Sequence, residues 1–137
     1  MKKVAIASLR LVDNKFVFQR RTKDAPINAG LLGHFGGHVE LEESCDDAIR
    51  RELREETSLP IDELNINELS SFIVEREGKM VEYHPYDIVI DNAEFEVYEG
   101  AGAEVHDLKE ALERVDLTSS VRYLLEKISR GDYVSAN

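Results

Sequence analysis

Hydrophobic and polar residues alternate along the first part of the chain in the way typical of β-strands. The apolar segment 4–12 and the alternating segment 15–19 flank Asp13 and Asn14, two residues that favour a turn. This pattern predicts a β-hairpin. The polar segment 21–34 contains proline and glycine, and we expect it to form a loop with one short strand at most.

The pattern changes to a helical period at Ser44. The pair of glycines at 36–37 is predicted to form a turn before this helix. Ser44 and Asp47 have the spacing of a capping box, and the helix should end within residues 57–60. With about 100° of rotation per residue, one apolar stripe along the helix contains Cys45, Ala48, Ile49 and Leu53.

The second half of the chain predicts further strands and then helices. Segments 67–76 and 80–90 alternate around a turn at 77–79, and segment 94–98 has the composition of another strand. The acidic stretch 99–104, with sequence EGAGAE, is expected to be a loop. Helices fit 107–114 and 118–130, the second with an inward face made of Val121, Leu124, Leu125 and Ile128. Together these elements predict a mixed β-sheet between helices, an α/β (α+β) fold.

Composition limits the domain count and the class of partner. The chain has 137 residues, of which 42% are hydrophobic and 33% charged, as expected for one globular domain spanning residues 1–137. The formal net charge of −11 argues against binding to bulk nucleic acid or to an anionic membrane, since both attract a positive protein surface. A polyanionic substrate would need a bound cation and local basic residues.

Cysteine content and hydropathy bear on the cellular location. Cys45 is the only cysteine, so no intrachain disulfide can form, and this fits a reducing, cytoplasmic compartment. No stretch approaches the roughly 18 apolar residues that a membrane span needs.

Three carboxylates crowd the apolar face of the predicted central helix. Glu56 falls inside the apolar stripe, and Glu52 and Glu55 lie along its edge. Burying an unpaired carboxylate costs several kcal/mol, roughly ten times the repulsion between like charges on an exposed helix. Arg51 could pair with Glu55 or with an aspartate, but it cannot neutralise all three acids. A divalent cation such as Mg²⁺ or Mn²⁺ could do so. The alternative is a solvated helix with ion pairs between neighbouring turns.

The segment GHVELEESCDDAIRRELREETSL at 37–59 resembles the Nudix box. This motif has Gly, five residues, Glu, seven residues, and then Arg-Glu-apolar-x-Glu-Glu-x-Gly-apolar. Ser58 departs from it, because the family usually has glycine at that position. The other specified positions are filled by Gly37, Glu43, Arg51, Glu52, Leu53, Glu55, Glu56 and Leu59.

The resemblance implies a Nudix-type α/β/α sandwich and a set of metal and catalytic residues. The implied metal ligands are the carbonyl of Gly36 and the carboxylates of Glu52, Glu55 and Glu56, holding Mg²⁺ or Mn²⁺. Arg51 would orient a carboxylate, and Glu43 would pair with Arg51 or assist the metal. The resemblance also places a turn at Ser58, where serine would adopt the glycine conformation at modest strain.

The general base and the phosphate-binding residues lie partly outside the motif. Glu52 is the first candidate for the base and Glu104 the second, with Glu99 as an alternative in the same acidic stretch. Arg20 and Arg21 follow a strand and could bind substrate phosphates. His34 and His38 could touch phosphate or cap backbone groups.

By this resemblance the protein is a metal-dependent hydrolase that cleaves the diphosphate linkage of a nucleoside diphosphate joined to a group X. The short chain favours nucleoside triphosphates. ADP-ribose, sugar nucleotides and dinucleoside polyphosphates stay open as substrates, and so does a homodimer. The rival functions are a non-catalytic nucleotide sensor and an RNA-decapping enzyme.

Overall fold

The computed structural model describes residues 1–132. It contains eight strands, three α-helices and a 3₁₀ turn at Ile61–Glu63. The strands are β1 Lys2–Leu11, β2 Lys15–Arg20, β3 Leu32–Gly33, β4 Phe35–His38, β5 Ile66–Glu68, β6 Phe72–Arg76, β7 Lys79–Ile90 and β8 Ala103–Asp107. The helices are α1 Cys45–Glu56, α2 Leu108–Leu112 and α3 Ser119–Ser129. The last five residues of the predicted domain lie outside the described part.

The strands form one mixed sheet around a parallel pair. β1 runs parallel to β7 with ten residues in register, and every other pairing is antiparallel. The order is β3-β2-β1-β7-β5, and β4, β6 and β8 pair with β1, β7 and β2 respectively. The predicted mixed sheet is therefore confirmed.

Helices cover both faces of the sheet because β1 is apolar on both sides. Ala5, Ala7 and Leu9 pack with the apolar stripe of α1, whereas Val4 and Ile6 pack on the opposite face with Leu124 of α3. This strand is buried between two layers, as expected for a strand in a parallel pair. The predicted arrangement of a sheet between helices is confirmed.

The ends of the helices follow local sequence. The Ser44 side chain accepts a hydrogen bond from the Asp47 N–H at 3.0 Å, and α1 ends at Glu56 just before the predicted range. A full capping box between Asp107 and Glu110 begins α2. No helix within residues 1–132 has the length and hydropathy of a membrane span.

Four local predictions were wrong. Residues 36–37 lie in β4, paired with β1, rather than in a turn. Segment 67–76 is interrupted, so that β5 and β6 pair with different parts of β7. Segment 94–98 makes a single β-bridge, between Val97 and Thr57. Residues 103–107, partly inside the predicted acidic loop, form β8 and pair with β2.

Candidate active site

Glu56 is a buried carboxylate at the end of α1. The apolar stripe that holds α1 against the sheet carries Glu56 with it, and 2% of the residue is exposed. Its carboxylate accepts the N–H of Gly36, with N–O distances of 3.1 and 3.2 Å. Within residues 1–132 no basic side chain forms an ion pair with it.

This burial changes the acidity of Glu56. Loss of hydration, followed by the negative charges of Glu52, Glu99 and Glu55, raises the pKa of Glu56 to about 8. The ionised carboxylate of Glu56 is therefore unfavourable unless a cation neutralises its charge; without one, the protonated form is favoured. The predicted conflict between burial and charge on this helix is present at Glu56.

Arg51 donates hydrogen bonds to four residues on α1, on β4 and in the loop between them. Its Nε and Nη2 donate to the two carboxylate oxygens of Glu43 at 2.8 and 3.0 Å, a bidentate pair. Its Nη1 donates to Glu52 at 3.0 Å and to Glu55 at 3.4 Å, and Nη2 also donates to the carbonyl of His38. Arg51 lowers the pKa of Glu43. The guanidinium thereby fixes the loop before α1 to the helix.

Glu52 lies between Arg51 and the backbone of β4. Its side chain is 15% exposed, and burial raises its pKa despite the adjacent arginine. A Cβ atom on Gly37 would stand 2.4 Å from Glu52 Oε1, closer than real carbon contacts allow. A glycine at position 37 is therefore required for Glu52 to occupy this place.

The donor set suits a hard divalent cation. Glu52, Glu55 and Glu56 share the C-terminal half of α1, and carboxylate oxygens are the ligands that Mg²⁺ and Mn²⁺ prefer. In the part of the chain that the structure describes, no three acidic, imidazole or thiol groups converge as a ready-made metal cluster. Arg51 holds Glu52 and Glu55 while Glu56 faces Gly36, so the three carboxylates point to different partners. The buried, unpaired Glu56 is the observation that fits a cation.

Hydrogen bonds hold segment 96–99 against the C-terminal end of α1. The Ser58 N–H donates to the Glu96 carbonyl at 3.0 Å, and the Glu96 N–H donates to Ser58 Oγ at 2.7 Å. The Tyr98 N–H donates to the Glu56 carbonyl at 2.7 Å. Glu99 follows directly, and its charge contributes to the raised pKa values of Glu52 and Glu56. The expected strain at Ser58 is absent, because its backbone does not adopt a positive φ.

Glu104, the second candidate for the base, is tied to Arg20. Arg20 Nε and Nη2 donate to its carboxylate at 2.6 and 2.8 Å, and this pairing lowers the pKa of Glu104 to about 2. Arg20 Nη1 donates to Asp116 at 2.8 Å and to the Gly30 carbonyl at 3.1 Å. Four of the five N–H groups of Arg20 are therefore engaged within the protein. Asp116 was not identified from the sequence, because this contact joins residues distant in the chain.

Arg21 instead lines a cavity of about 260 Å³ on the α3 side of β4. Arg21 Nε donates to the Ile27 carbonyl at 2.8 Å. Arg76, at the end of β6, also lines the cavity and was not identified from the sequence. The alternation of β6 places Arg76 on the same face as the buried Phe72, which was the available signal. The polar lining residues are Arg21, Asn28, His34, His38, Arg76, Tyr83, Thr118 and Ser120.

Two histidines in this cavity wall are neutral at pH 7. Burial lowers the pKa of His34 to about 4, and burial followed by the charges of Arg76 and Lys2 lowers the pKa of His38. His34 Nδ1 is buried and has no hydrogen-bond partner among residues 1–132. His34 therefore adds no positive charge to the cavity wall.

Comparison with protein families gives a match over most of the chain. Residues 1–127 match the family model of the NUDIX domain. A comparison with curated proteins found no match.

Solved structures include several of the same fold. The MutT protein of Methanosarcina mazei Go1 aligns with a TM-score of 0.82 and 22% identity, covering 96% of this chain and 94% of that chain. The ORF135 protein of E. coli aligns with a TM-score of 0.72 and 26% identity, covering 95% and 89%. An Ap4A hydrolase of C. elegans aligns with a TM-score of 0.73 and 20% identity, covering 96% and 97%.

Proposed function

Because the chain belongs to the Nudix hydrolase family, we propose that it cleaves the diphosphate linkage of a nucleoside diphosphate joined to a group X, using Mg²⁺ or Mn²⁺. Nudix hydrolases generally use divalent metals and act on small nucleotide-like substrates. The observation that carries the proposal is the buried Glu56, which has a pKa of about 8 and lacks a basic partner among residues 1–132.

Glu52, Glu55 and Glu56, with the carbonyl of Gly36, would hold the cation. When bound, it would neutralise the diphosphate oxygens and lower the pKa of the attacking water. Arg51 would keep Glu52 and Glu55 oriented through its hydrogen bonds to both carboxylates. Its bidentate pair with Glu43 would hold the guanidinium itself in place.

Glu52 is our first candidate for the general base. Its Oε1 accepts from Arg51, so Oε2 would take the proton from the attacking water. Burial raises the pKa of Glu52, and a more basic carboxylate accepts a proton more readily. As the new bond to phosphorus forms, the bond to the bridging oxygen breaks and the leaving phosphate keeps the electron pair.

Among the acids outside the motif, we propose Glu99 rather than Glu104 as the residue that assists Glu52 or the cation. Glu99 follows the segment bonded to the exit of α1, and its charge acts on Glu52 and Glu56. Glu104 is neutralised by Arg20. Glu99→Gln should reduce turnover tenfold or more, whereas Glu104→Gln should retain most of it. Full turnover in both variants would remove this stretch from the mechanism.

Arg21 is our candidate for contact with substrate phosphates, because Arg20 is occupied by Glu104 and Asp116. Arg21 lines both the 260 Å³ cavity and an adjoining depression that Glu99 also lines. It therefore stands between the candidate acids and the cavity. A cytoplasmic location remains part of the proposal, supported by the single, half-buried Cys45.

The test is product release by the purified protein with Mg²⁺ across a substrate panel. The panel contains nucleoside triphosphates, 8-oxo-dGTP, ADP-ribose, sugar nucleotides, dinucleoside polyphosphates and capped RNA. Glu56→Gln should abolish turnover on the class that is cleaved, and Glu63→Gln, which changes an exposed glutamate, should not. In parallel, Mg²⁺ should raise the Tm of the wild type and of Glu63→Gln but not of Glu56→Gln.

The outcomes separate the rival functions. Turnover of small nucleotides that depends on Glu56 supports the proposal, and turnover of capped RNA alone would favour decapping. Nucleotide binding without turnover on any substrate would favour a sensor. The absence of any Mg²⁺ effect on Tm would contradict the metal site.

A further inference from the structure

The arginines of this acidic protein are almost all paired with carboxylates. Within residues 1–132, eight of the ten arginines have a carboxylate oxygen within 4.0 Å, and the two without one are Arg21 and Arg76. The eight paired arginines are Arg10, Arg20, Arg50, Arg51, Arg54, Arg114, Arg122 and Arg130. With 28 acidic residues in the chain, an arginine without a carboxylate partner is the exception.

Both exceptional arginines line the same 260 Å³ cavity. None of the described residues that line this cavity is an aspartate or a glutamate. Asp24 and Glu99 line a neighbouring depression together with Arg21, and neither forms an ion pair with it. The cavity is therefore a positively charged compartment in a protein whose net charge is −11.

The surroundings of the two arginines prepare them for an anion. Arg21 is anchored through Nε to the Ile27 carbonyl, which leaves its two terminal nitrogens for other partners. Arg76 also lines a second depression with Lys2, Lys79 and Glu77, in which the basic side chains outnumber the acidic one. Guanidinium groups bind phosphate through parallel hydrogen bonds, and their rigid geometry favours this over binding to a single acceptor.

The cavity lies directly behind the candidate catalytic acids. Gly36 and Gly37 line it, and the same two residues contact Glu56 and Glu52 through the Gly36 N–H and the space where a Gly37 Cβ would stand. Only the backbone of Gly36 and Gly37, which have no side chains, separates the two compartments at this point. Arg21 lines both this cavity and the adjoining depression that Glu99 lines, so one substrate could place its diphosphate near the acids and another part of itself in the cavity.

The volume of the cavity indicates which part of the substrate it can hold. A pocket that encloses a whole drug-sized ligand measures roughly 300–1,000 Å³, so about 260 Å³ suits one portion of a nucleotide. Even with Arg21 shared with the diphosphate, a neutral portion would leave the guanidinium charge of Arg76 uncompensated in a partly buried space, at a cost that a doubly charged phosphate removes.

We propose that this cavity binds an additional phosphate group, so that the preferred substrate is a nucleotide with a phosphate on its ribose besides the diphosphate that is cleaved. Arg76 is then the residue that determines specificity, and Arg21 supports it. This inference rests on the proposed function, because it assigns the substrate class of the same site.

The test compares ligands that differ by one phosphate. Adenosine 2′,5′-bisphosphate, adenosine 3′,5′-bisphosphate and AMP are titrated into the wild type by calorimetry at fixed ionic strength. At least one bisphosphate should bind ten times more tightly than AMP, a difference of about 1.4 kcal/mol. Arg76→Gln should reduce this preference to within about twofold, and Arg76→Lys should restore part of it. Arg130→Gln, which changes an exposed arginine paired with Asp132, should leave it unchanged.

Equal affinity of AMP and both bisphosphates for the wild type would overturn the inference. A response of Arg76→Gln to the identity of the base, with no response to the extra phosphate, would overturn it in favour of base recognition. Because this measurement needs no turnover, its result is independent of the substrate panel. Failure of the panel with a clear bisphosphate preference would contradict the proposed function alone.

Discussion

Two adjacent glycines in β4 are required for different reasons. A Cβ atom on Gly36 would lie 2.1 Å from the Ala5 carbonyl oxygen, and its φ of 138° is one that other residues rarely adopt. Gly37 has no such backbone constraint, and its Cβ would meet only the end of the Glu52 side chain. The first residue is therefore constrained by folding and the second by the position of a carboxylate.

We predict separate effects of alanine at these two positions. Gly36→Ala should lower the free energy of unfolding by about 2–4 kcal/mol, because the backbone of β1 cannot move away. Gly37→Ala should keep the fold within about 1 kcal/mol of the wild type but lose roughly 100-fold in turnover, since Glu52 must shift. Urea unfolding and steady-state kinetics measure the two effects. Unchanged turnover in Gly37→Ala would show that the exact position of Glu52 is unimportant.

Glu104 makes stability depend on pH in the acid range. Its pKa of about 2 in the folded protein is below its ordinary value of 4.5, chiefly because of Arg20. Its stabilising contribution is therefore complete above about pH 4.5 and is lost as the pH falls towards 2.

We predict that Glu104→Gln is less stable than the wild type by about 1–2 kcal/mol at pH 7, a value that allows for the partial exposure of this pair. The difference should shrink steadily below pH 4.5 and be mostly lost near pH 2, where Glu104 is protonated in the unfolded state and about half protonated in the folded state. Urea unfolding of both proteins from pH 7 to pH 2 tests this, with Glu63→Gln as the exposed control. A difference that stays constant with pH would contradict an ionic role.

At the scale of elements, Ser58 connects α1 to the segment that carries Glu99. Its hydroxyl and its N–H both bond the backbone of Glu96. Family members usually have glycine at this position, and glycine cannot make the hydroxyl bond. The departure from the motif therefore adds a contact rather than strain.

We predict that Ser58→Ala lowers the free energy of unfolding by about 1 kcal/mol, the usual net contribution of one hydrogen bond. Turnover should fall severalfold, because segment 96–99 is held less firmly and Glu99 is less well positioned. Ser58→Thr should retain both properties. In the Ser58→Ala background, Glu99→Gln should cost less than it does in the wild type. Fully additive effects would mean that Ser58 does not act through Glu99.

The accuracy of sequence-based prediction differed between helices and strands for a physical reason. The boundaries of α1 depend on local signals, the Ser44 cap and an apolar stripe, and were predicted closely. β8 was missed because EGAGAE looks like a loop, and only pairing with β2 makes residues 103–107 a strand. The glycines at 36–37 suggested a turn, whereas their function is to let β4 approach β1 and Glu52.

The same distinction applies to the site. The box carboxylates could be predicted because they lie on one helix with fixed spacing. The cavity could not, since Arg21, Arg76 and Ser120 are brought together by separate elements of the fold. The ion pair between Arg20 and Asp116 could not be predicted either, because Asp116 lies far from Arg20 in the sequence.

At the scale of the whole molecule, the three apolar clusters share strands. β1 contributes Ala5 and Ala7 to one cluster and Val4 and Ile6 to another. β2 likewise contributes Val17 to the first cluster, and it contributes Phe16 and Phe18 to a third, which they form with residues of α2, α3 and the segments before these helices. Loss of one strand would therefore disrupt two clusters at once.

We predict one cooperative unfolding transition for residues 1–137, as expected for a single domain. The chain has five tyrosines and no tryptophan, so tyrosine fluorescence and far-ultraviolet circular dichroism are the two probes. Their urea midpoints should coincide. Two separate midpoints would show that the clusters unfold independently.

The parallel pairing of β1 with β7 has a consequence for how the protein is made. Lys2 pairs with Val81 and Leu11 with Ile90, so β1 leaves the ribosome about 80 residues before β7, the longest strand that it pairs with. Contacts between residues so distant in sequence slow folding, because a long loop must close before they form. Until then the nascent chain exposes an apolar strand, and it is at this stage that chaperones would protect it from aggregation.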